Sequence, residues 1–76
     1  MSDRERIGQQ MAALRNEKGY TVRKLAEYSG VSYQNITKIE SGKYNVSIDI
    51  LAKVARVLDA ELSIIKLNPS ELPLSL

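Results

Sequence analysis

The chain has 76 residues, a formal net charge of +2, and neither cysteine nor histidine. One domain of this length buries only a thin core, and the missing residue types exclude disulfides, thiolate or imidazole catalysis and most zinc sites, so we expect no enzyme activity and no cofactor. The charged first ten residues and the lack of a long apolar run predict neither a signal peptide nor a membrane span, which favours a cytoplasmic protein.

The first predicted element is a helix that begins near Asp3. Ser2 and Glu5 form an S-x-x-E capping box, in which each side chain accepts a hydrogen bond from the backbone N–H of the other residue. Apolar residues then recur at helical spacing. Gly19 is placed to end the helix, because glycine readily adopts the left-handed conformation that follows many helices.

Two short helices joined by a glycine-containing turn come next. Thr21 is placed to cap the second helix and Gly30 to end it. Ser32 is placed to cap the third helix and Gly42 to end it. A turn this short joins its helices at a steep angle, so the pair predicts a helix-turn-helix.

The chain after the third helix contains two further predicted elements. Ser47 is placed to cap a fourth helix, whose apolar stripe runs from Ile48 to Leu58. In "ELSIIKL" the side chains alternate with a period near two, which predicts a β-strand over residues 62–67. Two prolines then mark an extended tail, "NPSELPLSL".

We divide the chain into a helix-turn-helix domain of residues 1–60 and a C-terminal strand and tail of residues 61–76. The apolar stripes of the helices are interpreted as one hydrophobic core, with Tyr20 and Tyr28 half-buried against it. The predicted core residues are Ile7, Met11, Leu14, Leu25, Ala26, Val31, Ile36, Ile39, Leu51, Val54, Ala55 and Leu58.

A polar stripe marks the outer face of the third helix, opposite Ile36 and Ile39. Its members lie at i, i+3, i+4 and i+7 and are Gln34, Thr37, Lys38 and Ser41. The major groove of DNA is wide enough for a helix, and its base edges pair with Gln, Lys and Thr side chains. The pattern therefore indicates a base-reading surface, with a solvated face that only keeps the domain soluble as the alternative.

The sequence from Arg6 to Leu62 resembles the Cro and lambda-repressor-type helix-turn-helix family, also called the Xre family. Its most specific pieces are "KLAEYSGVS", "ITKIESGK" and "SIDILAKVARVL", in that order and at that spacing. The resemblance implies a compact lambda-repressor-like bundle of four to five helices, so we predict an all-α fold with the short C-terminal β-strand added. It also implies a sequence-specific DNA-binding transcriptional regulator, since most members of the family are repressors.

The resemblance also implies roles for residues in and around the third helix. The implied base readers are Tyr33, Gln34, Thr37 and Lys38. The expected phosphate contacts, from helix N-termini and the loop after the third helix, are Thr21, Arg23, Ser32, Ser41, Lys43, Tyr44 and Asn45. For Tyr33 the alternatives are a place over the sugar-phosphate backbone or packing on Val22. For Thr21 and Ser32 the alternative is helix capping alone.

The predicted strand suggests a homodimer. A lone strand leaves its backbone groups unpaired, and pairing residues 62–67 with a second copy across a two-fold axis would satisfy them. The residues expected at this interface are Leu62, Ile64, Ile65 and Leu67. Two copies would also present two reading helices to half-sites about 34 Å apart. The alternative is a strand folded back on its own helices.

Three functions remain open at this point. The first is a dimeric transcriptional regulator that reads the major groove of double-stranded DNA with the helix of residues 32–41. The second is the antitoxin of a toxin–antitoxin pair, which binds a toxin protein and autoregulates its operon, and the apolar C-terminal stretch from residue 61 onward motivates it. The third is binding of RNA or of a general coactivator.

Overall fold

Four α-helices and one short 3-10 helix make up residues 2–72, the part of the chain that the computed structural model describes. The α-helices are α1 (Asp3–Glu17), α2 (Val22–Ser29), α3 (Tyr33–Ser41) and α4 (Ile48–Val57), and the 3-10 helix is Pro69–Glu71. The predicted all-α architecture is therefore confirmed. The end of the predicted tail, residues 73–76, lies outside the described residues.

Each α-helix begins after the hydroxyl residue that was predicted to cap it. The four capping side chains accept hydrogen bonds of 3.0 to 3.2 Å from the backbone N–H three residues further on, and they are Ser2, Thr21, Ser32 and Ser47. Glu5 completes the predicted capping box by accepting from the N–H of Ser2 at 3.1 Å, and these hydrogen bonds lower the pKa of Glu5. Each such cap stabilises its helix by about 1 kcal/mol.

The core lies between the four α-helices, each of which contributes buried residues. The largest fully buried side chains come one from each of α2, α3 and α4, namely Leu25, Ile36 and Val54. The remaining predicted core residues are either buried with them or packed against them at the edge. Tyr20 packs on this core, whereas Tyr28 is 52% exposed and meets the Tyr20 ring edge-on at a centroid distance of 5.2 Å.

Two glycines bring the backbone of α1 against the C-terminal end of α3. A Cβ on Gly8 would overlap the carbonyl oxygen of Ile39 and lie 2.9 Å from that of Glu40. A Cβ on Gly42, which follows α3, would lie 2.5 Å from the Cα of Glu5. Because only glycine lacks a Cβ, the close approach of the two helices depends on both positions.

An ion pair joins the same two helices. The Arg15 guanidinium donates to Glu40 through two hydrogen bonds of 2.7 and 3.0 Å, and both side chains are only 15% exposed. A third donor of Arg15 reaches the backbone carbonyl of Tyr20 at 2.8 Å. The hydrogen bonds with Glu40 raise the pKa of Arg15 above its ordinary value. Arg15 therefore links α1 to α3 and to the segment that precedes α2.

The predicted β-strand is wrong. Residues 2–72 contain no strand, and residues 60–68 have no regular secondary structure. A strand needs a neighbour to pair its backbone N–H and C=O groups, and a chain whose other described elements are all helical offers none. In this irregular segment Ile64 is 101% and Ile65 is 77% exposed.

Candidate nucleic-acid interface

The turn between α2 and α3 is held by a buried serine. Ser29 is 8% exposed; its hydroxyl donates to the carbonyl of Leu25 at 2.6 Å and accepts from the N–H of Val31 at 3.2 Å. Gly30 follows in the left-handed conformation, with φ of 71°. These contacts satisfy the backbone at the end of α2 and set the direction in which α3 leaves the turn.

The outer face of α3 carries the residues predicted to read bases, and all of them are exposed: Tyr33, Gln34, Thr37 and Lys38. The opposite face is held in the core by Ile36 and Ile39, which are 0% and 4% exposed. The hydroxyl of Thr37 donates to the carbonyl of Tyr33 at 3.1 Å. Because this hydrogen bond uses the hydroxyl proton of Thr37, the methyl group is the apolar part of this side chain that remains for contact with a ligand. The helix therefore presents a polar face on a rigid support.

The residues predicted to contact phosphates surround this face at both ends of α3 and at the start of α2. All of them are exposed: Thr21, Arg23, Ser32, Ser41, Lys43, Tyr44 and Asn45. Ser41 donates to the carbonyl of Lys38 at 2.9 Å and accepts from the N–H of Lys43 at 3.4 Å, which ties the following loop to the helix end. The structure thus places these groups at the two ends of α3, in the loop that follows it and at the start of α2.

Positive charge on this side of the protein is not neutralised by nearby carboxylates. Within residues 2–72, the cations that pair with an acidic side chain are Arg6, Arg15, Lys18 and Lys24. Arg23, Lys38 and Lys43 have no such partner there. Glu40, which also lies on α3, points to Arg15 rather than to the outer face. An anionic ligand would therefore meet three cations without competing acids.

The residues predicted to form a dimer interface are also in solvent. The exposed fractions are 36% for Leu62 and 44% for Leu67, while Ile64 and Ile65 are still more exposed. An open groove of 520 Å³ runs beside them, lined by Ile7, Ile48, Leu51, Leu62, Ser63 and Ile64. Ile48 was predicted to belong to the apolar stripe of α4, but it is 73% exposed at the rim of this groove.

Sequence reasoning missed the contacts that hold α3 against α1. Arg15 and Glu40 are 25 residues apart, so no local spacing pointed to their pairing. Gly8 did carry a signal, because an isolated glycine inside a helical pattern often marks a close packing contact. Ser29 carried none, since a serine near a helix end is common on any surface.

The described residues contain neither a cluster suited to a metal ion nor a helix suited to a membrane span. Side chains of residues 2–72 form no group of acids that could hold a metal ion. Over the same range, no helix is both long and apolar enough to cross a membrane.

Comparison with known proteins gives consistent matches. The sequence profile of the Helix-turn-helix family HTH_3 matches residues 11–65. The transcriptional repressor RghR of Bacillus subtilis is 52% identical over 42 residues, which cover 55% of this chain and 31% of that protein. The transcriptional regulator SinR of the same organism is 44% identical over 54 residues, covering 70% of this chain and 49% of SinR.

Solved structures agree with the sequence comparison. A crystal structure of SinR in complex with DNA superposes with a TM-score of 0.66 at 43% identity, covering 72% of this chain and 89% of that one. A toxin–antitoxin module from Streptococcus pneumoniae gives a TM-score of 0.70 at 38% identity, covering 84% of this chain and 71% of that one. The chain spans about a third to a half of the length of the curated relatives it matches. The family profile covers most of the chain, and the chain belongs to the helix-turn-helix family HTH_3.

Proposed function

We propose that the chain is a sequence-specific DNA-binding transcriptional regulator, acting as a repressor, that inserts α3 into the major groove. The observation that carries this proposal is the exposed polar face of α3, supported from behind by Ile36 and Ile39 and flanked by cations that have no acidic partner among residues 2–72. The similar protein RghR is a transcriptional repressor and the similar protein SinR forms a complex with DNA, and both facts support the proposal. We assign the chain no catalytic activity, and a DNA target favours a cytoplasmic location.

The base-reading roles follow from side-chain chemistry. Gln34 has both a donor and an acceptor and suits adenine, while the ammonium of Lys38 suits guanine O6 or N7. Thr37 has committed its hydroxyl proton to the backbone of its own helix, so its methyl group suits a thymine methyl. Tyr33, at the start of α3, completes the set of proposed base readers.

The phosphate-binding roles follow from the helix ends. The hydroxyls of Thr21 and Ser32 accept from the third N–H of α2 and of α3, and the first two N–H groups of each helix precede its first intrahelical hydrogen bond. Such groups, with the helix dipole, favour a phosphate. Capping and phosphate binding therefore occur together at Thr21 and Ser32. Further contacts are proposed from the loop that follows α3, and its residues are Lys43, Tyr44 and Asn45.

We propose that the protein works as a homodimer and that the exposed apolar residues of the C-terminal segment form the interface. Ile64 and Ile65 are 101% and 77% exposed. Ile64 lines an apolar groove together with Ile48, and exposed apolar patches often mark interaction sites. A second copy suits this surface because two reading helices double the DNA sequence that is read. The domain of residues 1–60 then reads DNA, and residues 61–76 join two copies.

Replacing Ile64 and Ile65 together with serine should weaken the dimer. Each buried isoleucine contributes about 1.5–3 kcal/mol, so the loss of both should raise the dissociation constant by about a hundredfold or more. Sedimentation equilibrium over a concentration series measures it, and Lys66→Ala, an exposed change in the same segment, is the control. An unchanged dissociation constant in the double serine variant would place the interface elsewhere.

Selection of bound sequences from a random pool of DNA duplexes tests the proposed function itself. The expected result is enrichment of an inverted repeat whose half-sites are separated by about 34 Å. Binding of the enriched site should exceed binding of a scrambled site at the same salt concentration, because electrostatic attraction alone does not distinguish sequences. No enrichment, with equal affinity for any duplex, would overturn the proposal.

An antitoxin role is the second candidate, and one comparison favours it. The S. pneumoniae neighbour is a toxin–antitoxin module, and the exposed surface around Ile64 is equally suited to a toxin protein. The two occupants give different results in native purification. A homodimer alone supports the first function. A second protein that copurifies in a fixed ratio and protects the backbone amides around Ile64 and Ile65 from hydrogen exchange supports the antitoxin role.

A further inference from the structure

Two cations beside α3 lie over tyrosine rings. The Cζ atom of Arg23 is 5.0 Å from the centroid of the Tyr33 ring. The Nζ atom of Lys38 is 5.3 Å from the centroid of the Tyr44 ring. Cations at such distances are attracted by the negative face of the ring. Tyr33 and Tyr44, at 44% and 55% exposed, therefore contact charge rather than water alone.

Two other lysines also lie over tyrosines, but their situation differs. Lys18 also pairs with Asp59, and Lys24 also pairs with Glu27. A carboxylate in each case already neutralises the cation and fixes its position. Within residues 2–72, the cations of the two pairs at α3 are held by aromatic rings without a carboxylate. They are thus positioned while their charge remains available to a ligand.

Tyr44 lies at the edge of the core. It helps to line an open pocket of 40 Å³, whose other lining residues are Arg4, Ile7, Ile39, Val46 and Leu51. Although Tyr44 is 55% exposed, its contact with this pocket limits the positions open to its side chain. The ring therefore offers Lys38 a contact in a restricted place.

We propose that Tyr44 is a positioning residue for DNA reading, which holds the Lys38 ammonium in place before DNA arrives. The proposal rests on the proposed function. A free lysine loses considerable side-chain freedom when it is immobilised at an interface, and preorganisation reduces that loss. The ammonium has three donor hydrogens, so one contact with the ring leaves donors for a base.

A double-mutant cycle between Tyr44 and Lys38 tests this proposal with the selected site and a scrambled site. Tyr44→Leu should reduce the ratio of affinities for the selected and the scrambled site by about two- to fivefold per half-site, the range of an exposed cation–π contact. A phosphate contact of Tyr44 is lost from both sites alike and cancels in this ratio. Tyr44→Phe, which keeps the ring and removes the hydroxyl, should keep the ratio within about twofold of wild type. In the Lys38→Ala background, Tyr44→Leu should change the ratio no further.

A measurement without DNA accompanies the cycle. In the free protein, the side-chain methylene protons of Lys38 should be shifted upfield in NMR spectra by the ring, and Tyr44→Leu should abolish that shift. Absence of the shift in wild type, an equal loss of the affinity ratio with and without Lys38, or a Tyr44→Phe variant that loses as much of the ratio as Tyr44→Leu would each overturn the proposal. If wild type itself prefers no site, the proposed function fails, and the positioning role in DNA reading fails with it.

Discussion

Gly42→Ala should destabilise the protein by about 2–5 kcal/mol, the sum of two separate costs. Gly42 has φ of +67°, where an L-residue is strained by about 1–2 kcal/mol. Its new Cβ would also lie 2.5 Å from the backbone Cα of Glu5, and backbone atoms cannot rotate away as a side chain does. Relief of this overlap requires α1 and α3 to separate, which adds about 1–3 kcal/mol.

Gly30→Ala is the matched control for this prediction. Gly30 ends α2 with a nearly identical φ of +71°, but a Cβ there meets no atom within 4 Å. It should therefore show only the backbone strain of about 1–2 kcal/mol. Urea denaturation of both variants gives the two free energies of unfolding. Equal losses in the two variants would mean that α1 does not depend on the missing Cβ of Gly42.

Arg15→Ala should lower the free energy of unfolding by about 3 kcal/mol, because it leaves the largely buried carboxylate of Glu40 without its partner. The substitution also removes the hydrogen bond to the carbonyl of Tyr20. Arg6→Ala is the control, since Arg6 lies on the same helix and pairs with Asp3, but the two side chains are 53% and 92% exposed. An exposed pair of this kind contributes about 0–1 kcal/mol.

A second comparison separates two effects: the loss of the attraction between Arg15 and Glu40, and the cost of leaving the Glu40 carboxylate without a partner. Replacing Arg15 and Glu40 together with methionine removes both charges and retains much of the volume. This double variant should be more stable than Arg15→Ala, because no unpaired carboxylate remains. Thermal and urea unfolding measure the order of stability. If Arg15→Ala loses no more than Arg6→Ala, the pair does not hold α1 against α3.

The parts of the fold that were predictable are those that local chemistry decides. A capping hydroxyl bonds a backbone group three residues away, so Thr21 and Ser32 marked the starts of α2 and α3 in the sequence itself. The helical period likewise separated the buried Ile36 from the exposed Gln34, which is why the proposed reading face was visible without a structure.

The parts that were not predictable depend on partners distant in the chain. An alternating pattern indicates that the two faces of a segment differ, but a β-strand also needs a neighbouring strand with which to pair. Residues 62–67 have no such neighbour within residues 2–72. The pairing of Arg15 with Glu40 and the placement of Lys38 over Tyr44 depend on how the helices pack and on which rotamers they permit. No spacing along the sequence contains that information.

The ratio of affinities for a selected and a scrambled DNA site tests most directly whether α3 reads bases. Gln34→Ala should reduce the difference in binding free energy that this ratio expresses by about 1–3 kcal/mol per half-site, the contribution of a bidentate base contact. Lys43→Ala, in the loop, should instead weaken both sites alike and reduce the salt slope by about one per half-site. Circular dichroism should show both variants folded. If Gln34→Ala keeps the wild-type ratio while Lys43→Ala changes it, then α3 is not the reading helix.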